Sequence, residues 1–119
     1  MNLESTKKKA VLLVEDSEED IFFFKRALEK TGLSKKLILA TDGKMAVSFL
    51  SDQSVVQQLE VVFLDLKLPM FSGFDVLRWV QHQTLKVPLR IIVLSGSSHS
   101  KDTKLAKEMG CHISHIFKS

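Results

Sequence analysis

Five short apolar runs recur along this chain: AVLLV at 10–14, LILA at 37–40, VVFLD at 61–65, RIIVL at 90–94 and the weaker ISHIF at 113–117. In the first four the apolar residues follow one another without a polar break. A strand with one wet face alternates apolar and polar residues, whereas a strand covered on both faces does not. Between the runs lie segments whose apolar residues recur three and four apart, the period of a helix. Strands alternating with helices build βαβ units, and these give a parallel sheet with right-handed crossovers. The expected class is therefore α/β.

The helical segments carry their own punctuation. The first, over 18–31, places Ile21, Phe24 and Leu28 on one stripe. Ser17 with Asp20 three residues on reads as a capping pair, and Gly32 as the stop. The second, over 43–51, is expected to bury Ala46, Phe49 and Leu50; the third, over 74–83, to present Phe74, Leu77 and Val80 or Gln81. Pro88 marks the entry to the fourth strand. A fourth helix over 99–109 offers Leu105 and Met109, and Gly110 ends it.

Composition narrows the class. At 119 residues, 45% hydrophobic and 26% charged, the chain reads as one globular domain, with 1–8 a basic tail and 9–118 the core. No run approaches the ~20 apolar residues of a membrane span. Lys7 to Lys9 before AVLLV mimic a signal peptide only faintly, because Glu15 and Asp16 end the run. The lone Cys111 excludes an intrachain disulfide, which fits a reducing compartment and many others besides; the expected location is the cytoplasm. Five of the 14 acids lie in EDSEED, so the rest of the chain is strongly basic behind a net charge of +3. The lysines are scattered and not interleaved with aromatics, so direct nucleic-acid binding is not expected.

The third run ends in a carboxylate, Asp65, and an ionised carboxylate cannot be buried without partners. In open α/β sheets, ligand chemistry gathers at the carboxyl ends of the strands. Glu15 and Asp16 follow the first strand, Asp65 ends the third, Ser95 follows the fourth and Lys118 the fifth. These groups converge on one edge, so Asp65 is expected to point into a polar pocket rather than lie buried in the sheet. Clustered carboxylates repel, a cation relieves the repulsion, and oxygen ligands suit Mg²⁺. One carboxylate could then act as nucleophile toward a phosphoryl group, with a lysine and a hydroxyl neutralising the oxygens.

Taken together, VLLVEDSEED, VVFLDLKLPMFSGFDVLRWV, RIIVLSGSS and HIFKS resemble the receiver domain of two-component response regulators, in order and spacing, over about residues 9–118. The subtype they most resemble is the stand-alone receiver that pairs with phytochrome-type kinases. The resemblance implies a flavodoxin-like fold, a five-stranded sheet of order 2-1-3-4-5. It implies that Asp65 accepts a phosphoryl group from a sensor histidine kinase or phosphotransfer protein. Asp16 and Asp65 would bind Mg²⁺ directly, Glu15 through a water, and Lys67 through its backbone carbonyl. Lys118 would pair with the phosphoryl oxygens, Ser95 would hydrogen-bond one of them, and His115 takes the place of the aromatic switch residue. Lys67 and Ser97 fall where the family tunes the lifetime of the phosphorylated state.

Several residues depart from that pattern. Ser119 replaces the proline that usually follows the lysine, which puts the holding of Lys118 in question. His115, in place of Phe or Tyr, titrates near pH ~6.5 when unperturbed and so suggests a pH-responsive switch. The stretch from Gly110 to Lys118 is one residue longer than the family's. The chain stops where a fifth helix would begin, which implies an apolar face taken by a homodimer or left by trimming. The Ile21-Phe22-Phe23-Phe24 run is expected either to fill that gap or to pack on a partner.

Other chemistries fit less well. Ser95 lacks the elbow motif of a hydrolase nucleophile. An Asp-nucleophile phosphatase wants a second Asp where Lys67 stands. Cys111, His112 and His115 do not share a strand face and so make no metal cluster. Glu18, Glu19 and Asp20 read as solvated acids at a helix start, and Lys101, Lys104 and Lys107 as a solvated helix face. Three readings remain: a phospho-acceptor signalling protein that is not an enzyme on external substrates, a receiver-shaped interaction module that is never phosphorylated, and a Mg²⁺-dependent phosphohydrolase.

Overall fold

The computed structural model describes residues 10–68, 71–83, 89–95 and 116–117, and for Ser95, Ile116 and Phe117 the backbone. The elements run β1 (Ala10–Val14), α1 (Glu18–Lys30), β2 (Lys36–Ala40), α2 (Gly43–Leu50), α3 (Gln53–Val56), β3 (Leu59–Asp65), α4 (Gly73–Gln81), β4 (Ile91–Ser95) and β5 (Ile116–Phe117). The strands form one sheet of order β2-β1-β3-β4-β5. Every pairing is parallel. This is the flavodoxin-like α/β arrangement expected from the sequence.

Both faces of the sheet are covered, which is why its strands lack alternation. Leu12, Val14, Val62 and Leu64 point to one face and meet Ala46 and Leu50 of α2 and Val76 and Leu77 of α4. Leu13 points the other way, into a smaller cluster with Ile21 of α1 and Leu94, bordered by Phe24, Leu37, Leu39 and Phe63. Each fully buried Leu or Val here contributes roughly 1.5–3 kcal/mol of hydrophobic transfer.

The helix starts follow capping chemistry. Ser17 Oγ accepts from the Asp20 amide at 3.3 Å and opens α1. Asp42 does the same for α2 through the Met45 amide at 2.8 Å. At the other end of α1, Gly32 has φ 73°, a left-handed conformation that glycine adopts without steric cost.

Three details differ from expectation. β3 begins at Leu59, because the exposed Glu60 interrupts the apolar run without leaving the strand; its carboxylate meets Lys35 Nζ at 3.0 Å. The one-turn helix α3 is too short to show periodicity. In α4 the buried pair is Val76 and Leu77, with Phe74 and Val80 half-buried beside them. The expected helix over 99–109, the Pro88 entry, and Ser97, His115 and Lys118 lie outside the described residues.

Candidate metal and phosphoryl site

β1 and β3 are neighbours, with Val14 across from Leu64. One residue further along each strand come Glu15 and Asp65, so the sheet register itself sets the two carboxylates side by side. The Glu15 amide donates to the Ala40 carbonyl at 2.9 Å, extending the pairing of β1 with β2 by one residue. Asp65 is still within the ladder of β3 with β4, opposite Leu94. Ser95 is the next residue of β4, and its backbone lies at this same edge.

Glu15, Asp16 and Asp65 each offer a carboxylate oxygen, and these oxygens all lie within 4.8 Å of one another. Glu15 and Asp65 are buried, 1% and 4% exposed, while Asp16 is open to solvent. Asp65 is buried, contrary to expectation, but its carboxylate does face polar groups, the Glu15 and Asp16 carboxylates. The carboxylate is covered, and its Oδ1 accepts from the Lys67 amide at 3.0 Å. Glu15 Oε2 likewise accepts from the amides of Asp16 at 3.2 Å and Ser17 at 3.1 Å. Backbone donors from the loops after β1 and β3 thus orient two buried carboxylates in place of solvent.

Three carboxylates at this separation repel strongly. At an effective dielectric of ~20, two charges ~5 Å apart interact by roughly 3 kcal/mol. The donor set is all oxygen, anionic and partly open through Asp16, which fits a hard cation such as Mg²⁺ and not a soft metal.

The loop after Asp65 is fixed by a close approach that sequence reasoning missed. The Gly73 amide donates to the Leu66 carbonyl at 3.2 Å. α4 begins with a capping box that the sequence reading passed over: Ser72 Oγ accepts from the Asp75 amide at 3.2 Å, and Asp75 Oδ2 accepts from the Ser72 amide at 2.9 Å. Lys67 is exposed next to this edge.

Fold and site together define a response regulator receiver, and the sequence profile of the response regulator receiver domain matches residues 11–119. The chain belongs to that family. It is 31% identical over 109 residues to the response regulator Rcp1 of Synechocystis, covering 89% of this chain and 74% of Rcp1. It is 27% identical over 118 residues to a probable cyclic di-GMP phosphodiesterase of Vibrio cholerae, covering 99% of this chain but only 25% of that protein. Among solved structures, the bacteriophytochrome response regulator AtBRR superposes with a TM-score of 0.73 at 30% identity, covering 93% of this chain and 82% of that one. The Mn²⁺-bound form of Rcp1 superposes with a TM-score of 0.79 at 28% identity, over 93% and 81% of the two chains.

Proposed function

We propose that this chain is a phospho-acceptor: Asp65 takes a phosphoryl group from a phosphohistidine on a sensor histidine kinase or phosphotransfer protein, in a Mg²⁺-dependent reaction. The observation that carries this reading is the buried Asp65 carboxylate, with Glu15 and Asp16 carboxylate oxygens within 4.8 Å. Its similarity to the bacteriophytochrome response regulators AtBRR and RtBRR supports a phytochrome-type kinase as the donor. No helix among the described residues is long and apolar enough to cross a membrane. We place the reaction in the cytoplasm.

In the transfer, an Asp65 oxygen forms the new P–O bond as the donor's P–N bond breaks. The imidazole nitrogen keeps the bonding pair and takes up a proton from water. Asp16 and Asp65 would hold Mg²⁺ directly, Glu15 through water and Lys67 through its carbonyl. When bound, the ion neutralises the carboxylates and the phosphoryl oxygens. The Lys67 amide donates to Asp65 Oδ1 and so orients the carboxylate that would attack the phosphorus. Lys118 would pair with the phosphoryl oxygens and Ser95 would hydrogen-bond one of them. His115 would report the change to partner surfaces, and Lys67 and Ser97 would set how readily water reaches the phosphorus.

The test is intact mass after incubation with Mg²⁺ and a small acyl phosphate, with Asp65→Asn alongside. One added phosphoryl group, absent in the variant and without Mg²⁺, is the expected result. An unchanged mass in folded, Mg²⁺-bound protein would favour an unphosphorylated interaction module instead.

A further inference from the structure

The outer face of α1 carries a pattern that the folding of one chain does not use. Helical spacing sets Glu19, Phe22, Phe23, Arg26 and Lys30 on the side opposite the buried Ile21. Phe22 is 54% exposed and Phe23 52%. Their rings meet edge to face, centroids 5.6 Å apart at 70°, and the Arg26 guanidinium stands 5.7 Å from the Phe22 centroid. Single exposed apolar residues are ordinary, but two adjacent phenylalanines, each more than half exposed, form a patch that water disfavours.

The charges around that patch point to its occupant. Along the stripe the order is acid, two aromatics, then two cations. Laid antiparallel on its own copy about a two-fold axis between residues 24 and 25, the stripe is self-complementary. Glu19 then faces the partner's Lys30, and Phe23 faces the partner's Arg26, a cation over an aromatic ring. A parallel copy would instead set Glu19 against Glu19 and Lys30 against Lys30. Acid-first, base-last order is common on helices because of the macrodipole. The aromatic pair between the charges is what turns this order into a contact surface.

We propose that α1 packs antiparallel on α1 of a second copy of this chain, with Phe22 and Phe23 at the centre and Glu19–Lys30 pairs at both ends. The contact is isologous, so each pair occurs twice. One pair of 13-residue helices buries less than a standard interface. Such contacts fall below roughly 1,200 Å², so the dimer is weak and concentration-dependent. This association does not depend on phosphoryl acceptance at Asp65.

The test is sedimentation equilibrium of the full chain without Mg²⁺, from about 10 μM to about 1 mM, the range where a weak dimer shows. The wild-type mass should rise toward the dimer. Glu19→Lys alone and Lys30→Glu alone should each raise Kd about tenfold or more, because both create like-charge contacts. Mixing these two variants in equal amounts should restore association to the wild-type level, since every end contact is then opposite in sign. Phe22→Ser with Phe23→Ser should leave a monomer, with circular dichroism confirming that each variant is folded. A wild-type chain that stays monomeric at 1 mM would overturn the proposal and assign the face to a different protein. A wild-type dimer indifferent to both charge variants, or a mixture no tighter than its components, would also overturn it.

Discussion

Gly73 sits against the backbone of Leu66, its amide donating to the Leu66 carbonyl at 3.2 Å. No side chain fits in that contact. A Cβ on Gly73 would collide with the Asp65 carbonyl oxygen and lie 2.6 Å from Leu66 Cα. Both obstacles are backbone, so nothing flexible can give way. The first residue of α4 therefore fixes the peptide on the carboxyl side of Asp65. Gly73→Ala is expected to cost about 1–3 kcal/mol, measured by urea unfolding, as overpacking does. It should also slow phosphorylation of Asp65 by an acyl phosphate about tenfold or more, since small misplacements near a reacting atom are costly. Lost stability with an unchanged rate would mean that the contact serves packing alone.

The carboxylate cluster predicts opposite effects for one substitution under two conditions. Without Mg²⁺, Asp65→Asn removes one of three mutually repelling charges and keeps an oxygen for the Lys67 amide. It is expected to stabilise the fold by roughly 1–3 kcal/mol. Mg²⁺ at a hundredfold excess over Kd should stabilise the wild type by about 2.7 kcal/mol. In the variant most of that gain should be absent. Thermal unfolding of both proteins in chelator and in Mg²⁺ measures all four states. An Asn variant less stable than wild type in chelator would show that the carboxylates do not strain the fold.

The strands were legible because burial on both faces leaves an uninterrupted apolar run. Their order was not, since the runs themselves do not say which strand neighbours which; it came with the resemblance to receivers. Glu15, Asp16 and Asp65 could be placed at one edge from strand ends alone. The burial of Asp65 could not, because it depends on how the loop after β3 folds back to bring the Lys67 amide onto the carboxylate, which no pattern of residue types encodes. Likewise α3 is a single turn, shorter than any period. Gly73 lay in plain view in SGFD, but its role depends on how closely α4 approaches β3, which only packing decides.

Asp52, the N-cap of α3, gives a pH prediction. Its Oδ1 accepts from the Ser54 hydroxyl at 2.6 Å and the Ser54 amide at 2.9 Å. The hydroxyl bond first, then the amide bond, hold its carboxyl below the usual 3.8. A lowered native pKa stabilises the fold above the unfolded value, and that contribution is lost as pH falls through the lower native one. The Asp52 side-chain carbon should therefore titrate in NMR with a midpoint below 3.8, and Ser54→Ala, which removes the hydroxyl bond and keeps the amide bond, should move it upward toward that value. A midpoint at or above it in the wild type would contradict the cap's role.

The Ile21-Phe22-Phe23-Phe24 run separates into two faces, and each predicts a different outcome. Phe24 turns inward and meets Phe63 edge to face, centroids 4.8 Å apart at 64°. Phe63 lies two residues before Asp65 on β3, so this pair ties α1 to the strand that carries the candidate acceptor. Phe24→Ala removes most of a half-buried ring and its aromatic partner, and is expected to cost about 3 kcal/mol. A double-mutant cycle with Phe63→Leu should return a coupling of about 0.5–1.5 kcal/mol for the pair. Phe22→Ser points to solvent and should change the stability of the dilute monomer by less than about 0.5 kcal/mol. Chemical denaturation at low micromolar concentration distinguishes the two, because self-association contributes little there. Equal losses at Phe22 and Phe24 would mean that the outer face of α1 is buried within the single chain.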